Sequence, residues 1–294
     1  SASLVGSEMC IRDRYKSALR NVYVCISEKK KNYSYIKSTI TDNIKESHNV
    51  VFNDMAGYEP DKDIIISDGY NSYISDVAAD IGLGEDYSGN ARYIVYNSED
   101  ITKEYCEHIF ARKMGVPVLI LETERYIVRE ECEDDLKELY GLYATLSDCE
   151  YIEQLYEENE EREFVRNYIA NMYGFFDYGL WLVYDRSTGE LVGRMGIENR
   201  SIDGSNCQEL GYLVGKNYQN KGTAYEVCSA IISYAKEYLG IDELYACIHK
   251  DNKPSIGLIK KLGFSEYAKD IDGMNIYYLF IPNTYLMKSA AFSG

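Results

Sequence analysis

A short turn between an apolar strand and a helix is the part of this sequence in which backbone groups themselves could do chemistry. Residues 209–224 run from a strand pattern into a turn, and a helical pattern follows over residues 225–239. The first helical turn contains Gly222 and Ala224, so its backbone N–H groups lack intrahelical partners and are not shielded by large side chains. Such a helix start is an anion cradle. The sequence therefore predicts an anion-binding turn.

The spacing of this turn resembles a family signature. Gln219-x-x-Gly222-x-Ala224 is similar to the Gln/Arg-x-x-Gly-x-Gly/Ala pattern of the GNAT superfamily of N-acyltransferases. The resemblance implies that the turn grips the pyrophosphate of acetyl-coenzyme A (acetyl-CoA), which would be the co-substrate. The turn residues that it assigns to cofactor binding are Gln219, Asn220, Lys221, Gly222, Thr223 and Ala224.

Three further places match the same superfamily, in the same order along the chain. They are Arg125-x-x-x-Arg129-Glu130 in a predicted strand, Asn252-Lys-Pro-Ser255, and Lys261-Leu-Gly263-Phe264. The resemblance covers about 160 residues, slightly more than half of the chain and the size of one domain. The chain looks most like the Rim-like branch, which acetylates protein N-termini, including those of ribosomal proteins, and other small amines. Branch membership does not fix the substrate.

The resemblance also implies contacts with the pantetheine arm of the cofactor. Leu213 and Val214 end a strand that the GNAT fold splays from its neighbour, which would leave their backbone groups to pair with the arm, and Gly215 would ease that divergence. Asn252 follows the next strand and carries both a donor and an acceptor, so it is expected to bind the same arm. The alternative for Asn252 is a turn or cap residue before Pro254, which opens a helix.

Acetyl transfer to an amine needs a proton acceptor, a polarised thioester carbonyl and a proton donor for the thiolate. The resemblance implies that Glu209 removes the amine proton through water, and the alternative is a solvated strand residue. Many GNAT members use a tyrosine in the helix after Asn252 as the proton donor, but that position is Ile259 here. Ser255 resembles a serine that some N-terminal acetyltransferases hold near the thioester sulfur, and its alternative is a hydroxyl on the first helical turn.

Composition narrows the function further. The 294 residues carry a net charge of −17, which disfavours binding to nucleic acid and suits an amine-bearing acceptor, either a small molecule or a protein N-terminus. Acidity as a solubility device is the alternative. The eight cysteines form no C-x-x-C pair and only three histidines accompany them, so no metal site is expected. No apolar run is long enough to span a membrane, and we expect a soluble cytoplasmic protein.

The order of predicted elements indicates an α/β chain of two domains. Residues 1–14 resemble translated sequencing-adaptor read-through and are not expected to belong to either domain; the alternative is a genuine polar segment. Residues 15–123 alternate strands (22–26, 50–52, 64–66, 93–95) with helices (33–46, 71–81, 101–113), which predicts a small Rossmann-like three-layer domain. Residues 124–294 follow a β-αα-βββ-α-β-α-ββ order, which is that of a GNAT α+β domain with a mixed central sheet flanked by helices.

The N-terminal domain is predicted to be ancillary. Asp68 follows a predicted strand, where open α/β sheets bind ligands, but a turn or cap role is favoured for it. Gly82-x-Gly84 is followed by Tyr87 and makes no dinucleotide fingerprint. The domain faintly resembles the second half of haloacid-dehalogenase-like folds, although the nucleophilic D-x-D-x-[ST] motif is absent.

Two alternatives to an active acetyltransferase stay open. The first is a sensor or scaffold that binds coenzyme A with weak turnover or none, which the missing tyrosine and the appended domain favour. The second is an N-terminal nucleotide-binding enzyme with the acyltransferase fold as its regulator. The sequence does not identify the acyl-chain preference or the oligomeric state.

Overall fold

The structure, a computed structural model, describes residues 19–69, 79–202, 204–271 and 273–281. It divides into two compact units between Val118 and Leu119. The segment 1–14, predicted to be artefactual, lies outside the described residues, as does most of the predicted helix 71–81. In the described ranges, no helix is long and apolar enough to cross a membrane.

The first unit contains a five-stranded sheet in which every neighbouring pair is parallel, in the order β2-β1-β3-β4-β5. Parallel strands carry apolar residues on both faces because both faces are covered. Its strands are β1 Asn21–Cys25, β2 Asn49–Phe52, β3 Asp63–Ser67, β4 Ile81–Leu83 and β5 Tyr93–Val95, and its helices are α1 Tyr33–Ile44, a 3-10 turn Ser98–Asp100 and α2 Lys103–Lys113.

Both described helices of this unit pack into one core cluster, on one face of the sheet. Ile40 of α1 and Ile109 of α2 join Val24 and Ile66 in that cluster. The opposite face, with Tyr23 and Ile65, is covered by loop residues such as Met55 and Tyr58. A second helical layer, which the three-layer prediction requires, is therefore not seen in the ranges that the structure describes.

One strand of this sheet was not predicted. The predicted helix 71–81 ends at Ile81, whereas Ile81 begins β4, so that boundary is wrong. The strand is only Ile81-Gly-Leu83, too short for a periodic pattern. Gly82 is needed there, because a Cβ atom would lie 2.5 Å from the ring of Tyr87.

The second unit contains an eight-stranded sheet in the order β12-β13-β11-β10-β9-β8-β7-β6, and all pairs except β10–β11 are antiparallel. Its strands are β6 Leu119–Glu122, β7 Tyr126–Arg129, β8 Leu180–Asp185, β9 Leu191–Ile202, β10 Ser205–Val214, β11 Glu243–His249, β12 Ser265–Ile271 and β13 Met274–Phe280. Its helices are a 3-10 turn Glu133–Asp135, α3 Leu136–Ala144, α4 Glu158–Tyr168 with a π-helical turn Ile169–Tyr173, α5 Gly174–Phe176, a 3-10 turn Lys216–Tyr218, α6 Thr223–Glu237 and α7 Lys253–Lys261.

Strand β6 shifts the domain boundary. The sequence prediction starts the second domain after Thr123, but β6 pairs antiparallel with β7 and belongs to the larger sheet. Thr123 lies in the tight connection between them, where its N–H donates to the carbonyl of Tyr126 at 2.8 Å. The apolar run before Thr123 is therefore the first arm of a hairpin in the second unit.

Helices cover both faces of this sheet. On one face, Trp181 packs edge-on against Tyr234 of α6 and Met195 contacts Cys228 of α6. On the other face, Leu182 packs with Leu139 and Leu142 of α3, and Leu213 of β10 lies against the same cluster. The second face, called the α3 face below, carries the side chain of Glu209, which is four residues before Leu213 on the same strand.

Candidate functional site

The two parallel strands of the larger sheet part soon after they meet. β10 pairs with β9 along all ten of its residues, but with β11 at the single bridge between Glu209 and Tyr245. Along an antiparallel strand, the backbone N–H and C=O groups of successive residues point alternately to the two neighbouring strands. The N–H of Gly215 donates to the carbonyl of Val192, which precedes Gly193 on β9. Odd-numbered residues of β10 therefore face β9, and the backbone groups of Tyr212 and Val214 face the gap beside β11.

This alternation corrects one predicted contact. The prediction that Leu213 exposes its backbone groups to the pantetheine arm is wrong, because Leu213 pairs with Arg194 and its backbone groups point towards β9. Tyr212, which was not predicted, takes its place at the gap. Val214 faces the gap as expected, and its carbonyl accepts the side-chain amide of Gln219 at 3.0 Å.

The carboxylate of Glu209 lies where the strands separate. One of its oxygens accepts the backbone N–H of Cys247 on β11 at 2.9 Å, and the other pairs with Arg200 at 2.9 Å. A regular parallel ladder would give that N–H to a carbonyl of β10. The side chain thus takes the place of the next ladder bond and lets the two strands diverge.

A cavity of about 340 Å³ opens at this divergence. Its lining brings together the predicted Glu209, Asn252 and Ser255, which are far apart in sequence, and adds Tyr212. Glu150 and Glu153, from the loop after α3, also line it. The turn 219–224 is not part of this lining, so the predicted site consists of two places, the cavity and the turn.

The turn has the geometry of an anion cradle. Asn220 and Gly222 have positive φ angles of 59° and 78°, and α6 begins at the next residue, Thr223. Gly222 is the N-cap residue and has no side chain to bond the first-turn N–H groups, so those of Thr223 and Ala224 remain available. A Cβ atom at Gly222 would meet only Arg125, at 3.5 Å. The turn is therefore open where a diphosphate would approach, and the residues present fit acetyl-CoA.

Hydrogen bonds and an ion pair hold this turn to residues about a hundred positions earlier in the sequence. The hydroxyl of Thr223 donates to the carbonyl of Tyr218 at 3.0 Å and lies 2.9 Å from the hydroxyl of Tyr126. Glu226 accepts from the hydroxyl of Thr123 at 2.7 Å and pairs with Arg125 at 2.7 Å. The Arg125 guanidinium also donates to the carbonyl of Lys221 at 3.1 Å. Only Arg125 belonged to a predicted motif, because the other partners meet through tertiary structure alone.

Asn252 and Ser255 lie at the start of α7, and both line the cavity. The side-chain oxygen of Asn252 accepts the backbone N–H of Ser255 at 3.3 Å and caps α7. The Asn252 amide nitrogen stays available as a donor at the cavity. The hydroxyl of Tyr212 donates to the Ser255 carbonyl at 3.3 Å, so a tyrosine from β10 reaches the helix whose own tyrosine is replaced by the buried Ile259.

A second carboxylate lies beside Glu209 on the α3 face. Glu198 of β9 is the direct cross-strand partner of Glu209. It accepts the hydroxyl of Tyr168 at 3.0 Å, and that hydroxyl in turn accepts the backbone N–H of Leu180 at 2.7 Å. Burial raises the pKa of Glu198 above its ordinary value. Sequence reasoning missed Glu198, since only the strand register brings it beside Glu209.

Comparison with known proteins agrees with this geometry. Residues 125–265 match the family described as acetyltransferase (GNAT) domain. The uncharacterised protein YkkB of Bacillus subtilis is 30% identical over 156 residues, which cover 53% of this chain and 90% of that protein. The ribosomal protein uS5-alanine N-acetyltransferase of Escherichia coli is 29% identical over 178 residues, which cover 56% and 90%. Fold comparison finds RimL, a ribosomal α-N-protein acetyltransferase in complex with coenzyme A, at 16% identity and a TM-score of 0.47 over 56% of this chain and 99% of that one.

A splayed parallel strand pair with an open helix start beside it is the arrangement of an acyltransferase that takes its acyl group from coenzyme A. The chain belongs to the GNAT family of N-acetyltransferases, and its co-substrate is acetyl-CoA.

Proposed function

We propose that this protein transfers the acetyl group of acetyl-CoA to a primary amine, either a protein N-terminus or a small amine, by direct attack in a ternary complex. The observation that carries the proposal is the parting of β10 and β11 after one bridge, which opens a cavity of about 340 Å³ beside free backbone groups. No side chain of the cavity needs to form a covalent intermediate.

The turn and the gap would hold the two ends of the co-substrate. Gln219, Asn220, Lys221, Gly222, Thr223 and Ala224 form the cradle for the diphosphate, where the start of α6 favours negative charge. Val214 and Tyr212 offer backbone groups to the amides of the pantetheine arm, and the Asn252 amide is a further donor at the same cavity.

The cavity residues divide the chemistry of acyl transfer. Bound acetyl-CoA supplies an activated thioester carbonyl that an amine can attack. The backbone N–H of Tyr212 faces the gap and would polarise that carbonyl, while the Ser255 hydroxyl is the donor for the departing sulfur. Glu209 is the predicted acceptor of the amine proton, with its carboxylate fixed by Arg200 and Cys247.

The acceptor should be an amine that carries positive charge in solution. Three glutamates line the cavity, Glu150, Glu153 and Glu209, and an ammonium group would be attracted to them. The name of the uS5-alanine relative points to a protein N-terminus as one such acceptor. A small polyamine satisfies the same chemistry, and we propose both classes.

A second candidate function is a sensor that binds coenzyme A without efficient turnover. The observation that favours it is Ile259, which is fully buried at the position where many family members place the tyrosine acid. The first unit, which ends at Val118, would then regulate the second, and we propose that it is an ancillary Rossmann-like domain because its sheet is parallel.

Thiol release separates these two functions. The full chain, acetyl-CoA and either an alanine-initiated peptide or spermidine would be mixed with a thiol reagent. An active acetyltransferase gives amine-dependent thiol release and an acceptor heavier by one acetyl group in mass spectrometry. Binding of acetyl-CoA without release on any amine would favour the sensor.

A further inference from the structure

Two carboxylates are cross-strand neighbours where the cavity opens, and their surroundings differ. Glu198 and Glu209 are paired across β9 and β10, so their Cβ atoms are about 4.5–5.5 Å apart on the α3 face. Glu209 is occupied at both oxygens, by the Cys247 N–H and by Arg200. Further protonation of Glu209 would disrupt the pairing that separates the strands.

Glu198 has one oxygen committed and one available. Its Oε1 accepts a hydrogen bond from the Tyr168 hydroxyl. The oxygen of that hydroxyl in turn accepts the backbone N–H of Leu180. Within the ranges that the structure describes, Oε2 of Glu198 has no hydrogen-bond partner. An oxygen that is partly buried and unpaired is ready to take a proton or to bind an ammonium group.

One residue of the cavity lining, Gly211, lies close to this oxygen. Gly211, on β10 two residues after Glu209, lines the cavity. A Cβ atom at Gly211 would lie 3.9 Å from Oε2 of Glu198 and 2.9 Å from a methyl group of Leu180. A methyl group of Leu180 occupies the place of that missing side chain, and Oε2 of Glu198 lies beside the cavity lining at Gly211.

The surroundings of Glu198 raise its pKa above the ordinary value. Burial raises the pKa of Glu198, and the negative charges of Glu209 and Glu153 add to this. The Tyr168 hydroxyl and the Arg194 guanidinium oppose it. A general base works best with a pKa near the operating pH, which a raised carboxyl pKa approaches.

We propose that Glu198 is the group that takes the proton of the acceptor ammonium, while Glu209 holds the strands apart and orients the amine. This inference rests on the proposed function and transfers the base role from Glu209 to Glu198. One N–H bond of R–NH₃⁺ breaks and its proton goes to Oε2 of Glu198, which leaves a neutral amine. The amine forms a C–N bond as the C–S bond breaks. Ser255 gives its hydroxyl proton to the sulfur, which becomes the free thiol, and takes the second amine proton in exchange, and Glu198 then releases its proton to solvent.

The test compares pH profiles of kcat/KM for the amine at saturating acetyl-CoA. Glu198→Gln should lower kcat by about 100-fold or more, the usual contribution of a general base, and remove the rise of the profile with pH. Its acetyl-CoA affinity, measured by calorimetry, should stay within about 3-fold of wild type, because no cradle residue changes. Glu198→Asp should recover part of the loss. Glu243→Gln, at the start of β11, is the matched control and should leave the profile unchanged.

Tyr168→Phe keeps the ring and removes the hydroxyl bond that favours ionised Glu198. The rise of the profile should then move to higher pH, because the pKa of Glu198 increases. If Glu198→Gln fails to bind acetyl-CoA, Tyr168→Phe still tests the base role of Glu198. A pH profile of kcat/KM that stays at the wild-type position overturns the proposal.

The proposal is also overturned if Glu198→Gln keeps wild-type turnover, or if only Glu209→Gln loses the rise with pH. Failure of the proposed function is a distinct result, in which the wild type itself releases no thiol on any amine, and it removes this inference as well.

Discussion

In each of the two sheets of this protein, a side-chain carboxylate accepts a backbone N–H in or just beyond a parallel neighbouring strand, but only one of these two places is open. In the first sheet, the buried carboxylate of Asp68 accepts the N–H of Ser27 at 2.8 Å beyond the end of β1. In the second, Glu209 accepts the N–H of Cys247 at 2.9 Å on β11. Each carboxylate replaces a ladder bond between parallel neighbours.

What surrounds the carboxylate decides the outcome. The Lys30 ammonium lies 3.9 Å from Asp68, whose side chain has no solvent exposure. The partner of Glu209 is Arg200, which lies on β9 away from the gap, so the space between β10 and β11 stays open as a cavity. A carboxylate at a strand end is therefore not a site by itself, and an open gap with free backbone groups is needed as well.

The largest expected effect is at the open helix start. Gly222→Glu puts a carboxylate at the mouth of the cradle and should weaken acetyl-CoA binding by about 100-fold or more, because like charges repel at a site that favours anions. Calorimetry measures this. Gly240→Glu is the control, since Gly240 follows the same helix with a similar φ of +65° and nothing within 4 Å of its Cβ position. Equal affinity in both variants would remove the turn from the site.

The next largest effect is a loss of turnover on substitution of Glu209. Glu209→Gln keeps an oxygen for the Cys247 N–H but loses the charge paired with Arg200, so we expect turnover to fall about 10-fold, a loss typical of one misoriented group. Acetyl-CoA affinity should change less than turnover, since the diphosphate cradle is untouched. Steady-state rates and calorimetry on one preparation compare the two. Unchanged turnover would leave Glu209 only its role in strand separation.

A smaller effect concerns the bracing of the turn. Thr223→Val leaves the Tyr218 carbonyl and the Tyr126 hydroxyl without their partner and should lower the free energy of unfolding by about 1–3 kcal/mol. The single tryptophan, Trp181, is buried in β8, so its fluorescence during urea unfolding reports on the second unit. Ser229→Ala, on the exposed side of α6, should cost less than about 0.5 kcal/mol. Equal losses would argue against the brace.

The smallest effect on acetyl transfer is expected from Asp68→Ala. It leaves the Ser27 N–H without its acceptor and should destabilise the first unit by about 1–3 kcal/mol. Far-UV circular dichroism should show an earlier transition, while the Trp181 transition and the acetyl-CoA affinity stay unchanged. A loss of acetyl-CoA binding in this variant would show that the first sheet serves the transferase site.

The sequence predicted most strands and helices because their patterns are local. The run Ile64-Ile-Ile66 and the turn Ser187-Thr-Gly189 predict a buried strand and a hairpin without any tertiary information. Strand β4 escaped prediction because three residues, one of them glycine, carry no periodic pattern.

The site was predictable only where one segment builds it. The turn from Gln219 to Ala224 is such a segment, and its resemblance to a family signature located it. Tyr212 and Glu198 were missed for a different reason: which backbone groups face the gap, and which carboxylates are neighbours, depend on the register of β9, β10 and β11. No pattern within a single strand encodes that register.

Titration of the full chain with acetyl-CoA in a calorimeter tests the central claim most directly, because the cradle, the gap and every catalytic assignment depend on that binding. We predict one site with a micromolar Kd, and amine-dependent thiol release by the same preparation. A folded protein that gives no heat of binding with acetyl-CoA would contradict this claim, and the splayed strands would then show a similarity of fold alone.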